Sequence, residues 1–264
     1  MLKFVSIFKA LHAVSVLSSL LDQEFTQYYL AVMHILKELL ANIANTNERR
    51  AQIRIETIEC IGFIINTIRA EPGFLVETDK IMEYFIQLAQ QLDPSDLERA
   101  AILDVYCQVS SYLRSDFLKY MSYIFEDLLR LMEVEIGLVP DKTSSKEEDD
   151  SQPQVYGLDV AALTIKISAI NAIFVLSRNL GKSYYDYIKP TIRIVNKYFS
   201  HYSGTISRKA FKIVKNLVLA CENEEDVAGV LSECLPAMLD VLQTNVKQIH
   251  DGSFLFILLD LIKV

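Results

Sequence analysis

Carboxylate and amide side chains recur at helical spacing in one apolar stretch: Gln52, Glu56, Glu59 and Asn66 are interleaved with Ile55, Ile58, Ile61 and Ile65. Carboxylates beside amides are charge-assisted acceptors, suited to the ammonium groups of an extended lysine-rich peptide. Asp104, Gln108 and Ser111 form a second such set, and Ser168 with Asn171 a third. Arg208, Lys212 and Lys215 make a basic stripe further on. That stripe suits an acidic patch on a partner or the chain's own acidic run, Glu147-Glu148-Asp149-Asp150. An ordinary solvated helix face has the same composition, so these spacings nominate residues without assigning them a role.

Other chemistry finds less support. His12, His34, His201 and His250 are isolated, with no partner pattern for a triad or a metal centre. Neither H-E-x-x-H nor a phosphate-cradling glycine loop occurs. The acidic run with Asp141 lacks the D-x-D-x-D-G spacing of a calcium loop. We therefore expect no enzyme activity, no metal and no cofactor.

The formal charge of −8 disfavours nucleic acid as a partner. By count, residues 1–157 carry 14 basic and 24 acidic side chains, and residues 158–264 carry 12 and 10. The acidic bias thus sits in the first part, where it favours a basic partner or serves solubility. Cys60, Cys107, Cys221 and Cys234 lie apart in apolar helical patterns, which reads as buried free thiols in a reducing compartment. Lys9 and His12 interrupt the apolar start of the chain, and no run of 18 uninterrupted apolar residues occurs. Neither a signal peptide nor membrane insertion is expected.

The elements that must position these residues are helices. Apolar positions recur with helical spacing over about 2–22, 24–45, 48–69, 75–92, 94–114, 116–134, 158–180, 183–202, 205–221, 226–244 and 247–263. No strand or β-hairpin is expected. Asp93 before Pro94 should cap one helix, Ser115 another, and Gly181 should close a third. Paired, the helices give hairpins starting near 24, 71, 115, 182 and 223, close to the roughly 40–47-residue period of HEAT and armadillo repeats. The one long interval contains the non-helical stretch 135–157, which is expected to be an acidic, mobile insert within a repeat. Pro190 and Pro236 should each stand near the start of a hairpin's first helix. The predicted fold is an all-α HEAT-repeat superhelix spanning 1–264. It has about five helical hairpins plus an unpaired N-terminal helix, with the second helix of each hairpin on the concave side. Neither end carries a polar cap, so the sequence reads as a piece of a longer array or a chain that caps itself by dimerising.

Several segments carry a family resemblance. Phe25-x-x-Tyr28-Tyr29, Thr57-Ile58-Glu59-Cys60-Ile61, Leu163 to Ile170, Leu180-Gly181-Lys182, Tyr187 and Lys197 to His201 follow one another in an order and spacing similar to the middle of importin-5-like karyopherin-β receptors. The acidic insert stands where those receptors have an Asp/Glu-rich loop. The tryptophan expected near that loop is absent, and Tyr156-Gly157 stands in its place. The resemblance implies a nuclear import receptor shuttling between cytoplasm and nucleus through the nuclear pore. It also implies protein cargo with basic, lysine-rich targeting signals, the Ran GTPase in its GTP form, and phenylalanine-glycine nucleoporins as partners. The competing expectation is a HEAT-repeat scaffold, such as a phosphatase regulatory or tethering subunit, indifferent to Ran.

Overall fold

The computed structural model describes residues 2–44, 47–69, 71, 73–140 and 156–246. They form ten α-helices: α1 (Leu2–Leu21), α2 (Thr26–Asn42), α3 (Glu48–Thr67), α4 (Phe74–Gln91), α5 (Glu98–Leu113), α6 (Leu118–Glu133), α7 (Val160–Leu180), α8 (Ile188–Val195), α9 (Gly204–Ala220) and α10 (Glu224–Val246). The expected last helix, 247–263, and the acidic run Glu147–Asp150 lie outside the described residues.

The helices stack in two layers. Along one layer each odd-numbered helix packs on the next, α1 on α3, α3 on α5, α5 on α7 and α7 on α9. The even-numbered helices cover one side of that layer and meet each other less closely. The tighter spacing puts the odd-numbered helices on the inner side of the array. Between the layers lies a continuous apolar core that includes Ile58, Ile64, Phe85, Phe117, Ile173, Tyr184 and Phe211, all fully buried. Each such side chain contributes about 1.5–3 kcal/mol by leaving water.

The inner helices end in a repeated way. α1, α5 and α7 are followed by Asp22, Arg114 and Gly181, with φ of 43°, 52° and 54°. Each begins a 3-10 turn that leads into the next outer helix. Gly181 fulfils the expected closing role, since glycine adopts positive φ without a Cβ penalty. Other expectations need correction. Asp93 does not cap α5: its carboxylate accepts from the Ser95 backbone N–H at 2.9 Å in a local turn, and α5 begins at Glu98. Ser115 lies inside a 3-10 turn, and α6 starts at Leu118 without a side-chain cap. The helix expected over 183–202 is only Ile188–Val195, flanked by 3-10 turns. Pro190 is in its first turn, where N–H groups lack intrahelical partners, but Pro236 lies in the middle of α10, where a backbone hydrogen bond is lost.

The base of the insert also differs from expectation. Leu138–Pro140 and Tyr156–Leu158 pair as a short antiparallel ribbon, β1 and β2. The carbonyl of Gly137 accepts from Asp159 N–H at 3.0 Å, and Asp159 then caps α7 through Ala162 N–H. The chain enters α7 directly from this ribbon.

Two stretches, Val5–Asn42 and Val160–Tyr198, are long and apolar enough by length and composition to cross a membrane. The second is interrupted at Gly181, and half of its most apolar window is buried against neighbouring helices. Its hydrophobicity is that of an inner helix with neighbours on both sides. Only α3 flanks α1 among the described inner helices, and Val5, Val16, Leu17 and Leu20 stay exposed.

Candidate functional site on the inner helices

Two buried cations fix how the inner helices sit. Arg54 of α3 donates to both Glu98 carboxylate oxygens at the start of α5, at 2.6 and 2.9 Å, and to the carbonyls of Leu40 and Ile43 at the end of α2. Arg99 of α5 does the same one repeat later, binding the carbonyls of Leu92 and Asp93 after α4 and the Asp127 carboxylate of α6. Each guanidinium joins three helices and satisfies the orphan carbonyls at an outer helix's C-terminal end. On α7 the buried cation is Lys166, 5.4 Å from the Tyr198 ring centroid, while the Tyr198 hydroxyl donates to the carbonyl of Met132.

Above these anchors, α3 and α5 present their carboxylates. Gln52 is exposed, and its amide donates to Glu56 at 3.2 Å. Glu56, Glu59 and Asp104 are half-buried, and none of the three has an ion-pair partner among the described residues. Partial burial first, then the nearby charges of Glu56 and Asp104, push the Glu59 pKa up. Burial raises Asp104 as well. Unpaired carboxylates held together out of water favour an incoming cation.

Gln108 lies on the seam between these helices, against Gly62 of α3. A Cβ at Gly62 would sit 3.0 Å from Gln108 Oε1 and 3.0 Å from Val105 Cγ2, so the glycine permits the close approach. Gln108 Oε1 and Asn66 Oδ1 are both buried and accept no hydrogen bond among the described residues. Leaving such acceptors unpaired costs about 1–3 kcal/mol each, which a donor from a ligand would recover. The structure therefore groups Glu56, Glu59, Asp104 and Gln108, with Gln52 and Asn66 at the two ends of the same α3 face.

Asn171 does not join them. Its Oδ1 accepts from Lys209 Nζ of α9 at 2.5 Å, which places it in a basic neighbourhood. Lys209 also stands 4.5 Å from the Phe174 ring centroid, with Arg178 5.5 Å from the same ring. The basic stripe legible in the sequence, Arg208, Lys212 and Lys215, includes neither Lys209 nor Arg178. Lys209 and Asn216, seven residues apart on α9, both reach α7 at Asn171, Phe174 and Ser177. That spacing was visible in the sequence; its pairing with α7 was not.

Two grooves open between outer helices. One of about 500 Å³ lies between α4 and α6, where Ile86, Tyr120 and Tyr123 are joined by the polar Asp79, Glu83 and Lys119. Another of about 470 Å³ lies between α8 and α10, where Ile188, Ile192 and Val230 are joined by the charged Lys189, Glu225 and Glu233.

No family model and no curated protein matches the sequence. Solved structures do match the architecture. The karyopherin Kap121p bound to the extreme C-terminus of the protein phosphatase Cdc14p superposes with a TM-score of 0.71 at 15% identity over 97% of this chain. The fold is an all-α HEAT-repeat solenoid. Kap121p solved alone gives a TM-score of 0.68 at 14% identity over 97% of the chain, and Kap121p bound to Nup53p gives 0.67 at 16% over 90%. The chain spans about a quarter of those proteins, 25%, 25% and 23% of their lengths. At this identity the likeness shows the architecture, an all-α solenoid.

Proposed function

We propose that the chain acts as the cargo-holding part of a nuclear import receptor, with the inner face of α3 and α5 gripping a lysine-rich targeting segment of a protein cargo. The observation that carries this reading is the set of three unpaired carboxylates, Glu56, Glu59 and Asp104, beside two unpartnered amide oxygens on one inner surface. Carboxylates match lysine ammonium groups, and free amide acceptors match the N–H groups of an extended backbone. Kap121p, which shares this fold, has been solved with Pho4p, Ste12p, Ulp1p and Nup53p bound, which agrees with a binding role for such an array. Release is assigned to Ran-GTP: in a stack where each repeat contacts its neighbours, small inter-repeat shifts sum into a change of curvature. Contacts with phenylalanine-glycine nucleoporins during shuttling between cytoplasm and nucleus are assigned to the outer face, where Tyr123 and Ile192 stand in grooves of mixed polar and apolar lining.

The test is binding of a fluorescent lysine-rich peptide at low and high salt, against a Glu56→Ala/Glu59→Ala variant. Salt-sensitive binding that weakens about tenfold in the variant is expected, from the loss of two charge-assisted contacts. Absence of binding at low salt sinks the assignment of this surface. Binding indifferent to the nucleotide state of Ran, in a receptor containing this segment, points to a scaffold instead.

A further inference from the structure

Arg178 of α7 and Lys209 of α9 both stand against the half-buried Phe174, and Lys212 lies three residues after Lys209 on α9. Arg178 and Lys212 are exposed and Lys209 is half-buried. None of the three has an acidic partner among the described residues, and Lys209 donates to the neutral Asn171 amide. Burial, then Lys212, then Arg178 depress the Lys209 pKa, so the three cations feel each other. Like charges held together without counter-charge attract an anion.

The acidic surface starts one helix away. The thiol of Cys107 on α5 is raised by burial and by Asp104, and is opposed by Lys209 and Arg178. The two signs therefore meet over this residue, with no ion pair joining them among the described residues. Neighbouring packed helices lie about 8–10 Å apart, so the centres of the two charged surfaces are separated by roughly 16–20 Å. An extended chain covers that distance in about six residues.

Building on the lysine-rich reading above, we infer that this surface takes a bipolar segment. Its lysines lie on α3 and α5, and aspartate or glutamate side chains about six residues away lie on the Arg178–Lys209–Lys212 cluster. Charge complementarity selects the occupant: a purely basic segment would be repelled where it crosses α7, and a purely acidic one where it crosses α5. The bipolar arrangement also fixes the direction in which the segment lies.

The experiment uses fluorescence anisotropy at low salt with four peptides. One is lysine-rich with a neutral tail, two carry an acidic tail about six residues after or before the lysines, and the fourth is the acidic stretch alone. One bipolar order should bind about tenfold tighter than the neutral-tailed peptide, as expected for two added charge-assisted contacts. The gain should vanish in Arg178→Gln/Lys209→Gln, while that variant binds the neutral-tailed peptide no more weakly than the wild type. Arg178→Gln alone, on an exposed side chain, should lose part of the gain and keeps the test intact if circular dichroism finds the double variant unfolded. No gain in either order, or a gain that survives in the variants, overturns the inference. So does a gain that appears only once Glu147, Glu148, Asp149 and Asp150 are changed to Gln, which assigns the cluster to the chain's own acidic run. If the neutral-tailed peptide fails to bind, the α3–α5 reading falls by itself. The acidic peptide then decides: binding lost in the variants upholds the cluster, and no binding ends both.

Discussion

The seam between α3 and α5 and the seam between α7 and α9 occupy equivalent places two repeats apart, yet they treat buried polar groups in opposite ways. At α3–α5 a buried ion pair, Arg54–Glu98, closes one end, while Gln108 Oε1 and Asn66 Oδ1 remain unpaired along the rest. At α7–α9 no buried ion pair occurs among the described residues. Asn216 instead donates to the Phe174 carbonyl at 2.9 Å and to Ser177 Oγ at 3.0 Å. The intervening α5–α7 seam follows the second pattern, with the Asn179 amide donating to Ser110 Oγ at 2.9 Å and accepting from Arg114. Neutral amide–hydroxyl pairs satisfy their own seams. The α3–α5 seam keeps acceptors and carboxylates without donors or ion-pair partners among the described residues, as the proposed cargo contact requires. The α7–α9 seam thus satisfies its buried amide within the fold, where the α3–α5 seam leaves buried amide oxygens without a partner among the described residues.

The sharpest way to break this comparison is at the ion pair. Arg54→Met should destabilise the chain by about 3–5 kcal/mol, because Glu98 is left fully buried without its counter-charge. Urea unfolding measures it, and a loss below about 1 kcal/mol would mean that the pair is not what closes this seam. The neutral seams should respond less. Asn179→Ala and Asn216→Ala each remove a buried donor and leave acceptors behind, at a cost of about 1–3 kcal/mol. If either proved as costly as Arg54→Met, the ionic and neutral seams would be energetically equivalent and the comparison would lose its content.

How much of this was legible in the sequence follows from the range of each interaction. Helical periodicity is local, so nine of the helices lie close to where the apolar spacing put them, the helix over 183–202 alone being cut down to Ile188–Val195. Gly181 announced its positive φ, whereas Asp22 and Arg114 adopt the same conformation with residues that do not advertise it. Asp93 and Ser115 failed as caps because short local turns compete for the same oxygens and backbone. Arg54 and Arg99 stand 45 residues apart in inner helices, matching the repeat. That period could have marked them as paired anchors rather than surface charges, although their partners, Glu98 and Asp127, are fixed only by tertiary packing. Of the proposed ligand-binding residues, those on α3 and α5 could be selected from the sequence because each set lies on one helix face. Asn171 was grouped with them by residue type, and only the packing of α9 on α7 placed it beside Lys209 instead.

The smallest expected effect separates stability from binding. The Glu59 carboxyl is raised above its ordinary value of 4.5 by burial and by Glu56 and Asp104, so the folded chain holds that proton more tightly than the unfolded chain. Ionising it therefore destabilises the fold: the cost is absent below the unfolded pKa, grows as pH rises, and is complete above the folded pKa. Glu59→Gln removes this cost and should raise stability at pH 7 by a few tenths to about 1 kcal/mol, since the group is only half-buried. The advantage should shrink towards zero below about pH 4, where the wild-type residue is protonated in both states. Binding must move the other way. A lysine-rich peptide needs the ionised carboxylate, so its affinity for the wild type should fall as pH drops through the raised range, and Glu59→Gln should weaken it several-fold at pH 7. Thermal melts and peptide titrations across pH 4–8 test both halves. A variant that gains stability and loses affinity marks Glu59 as a charge retained for its partner. One that loses stability would mean the residue is held by a cation within the fold, and the acidic face would then count as structure rather than site.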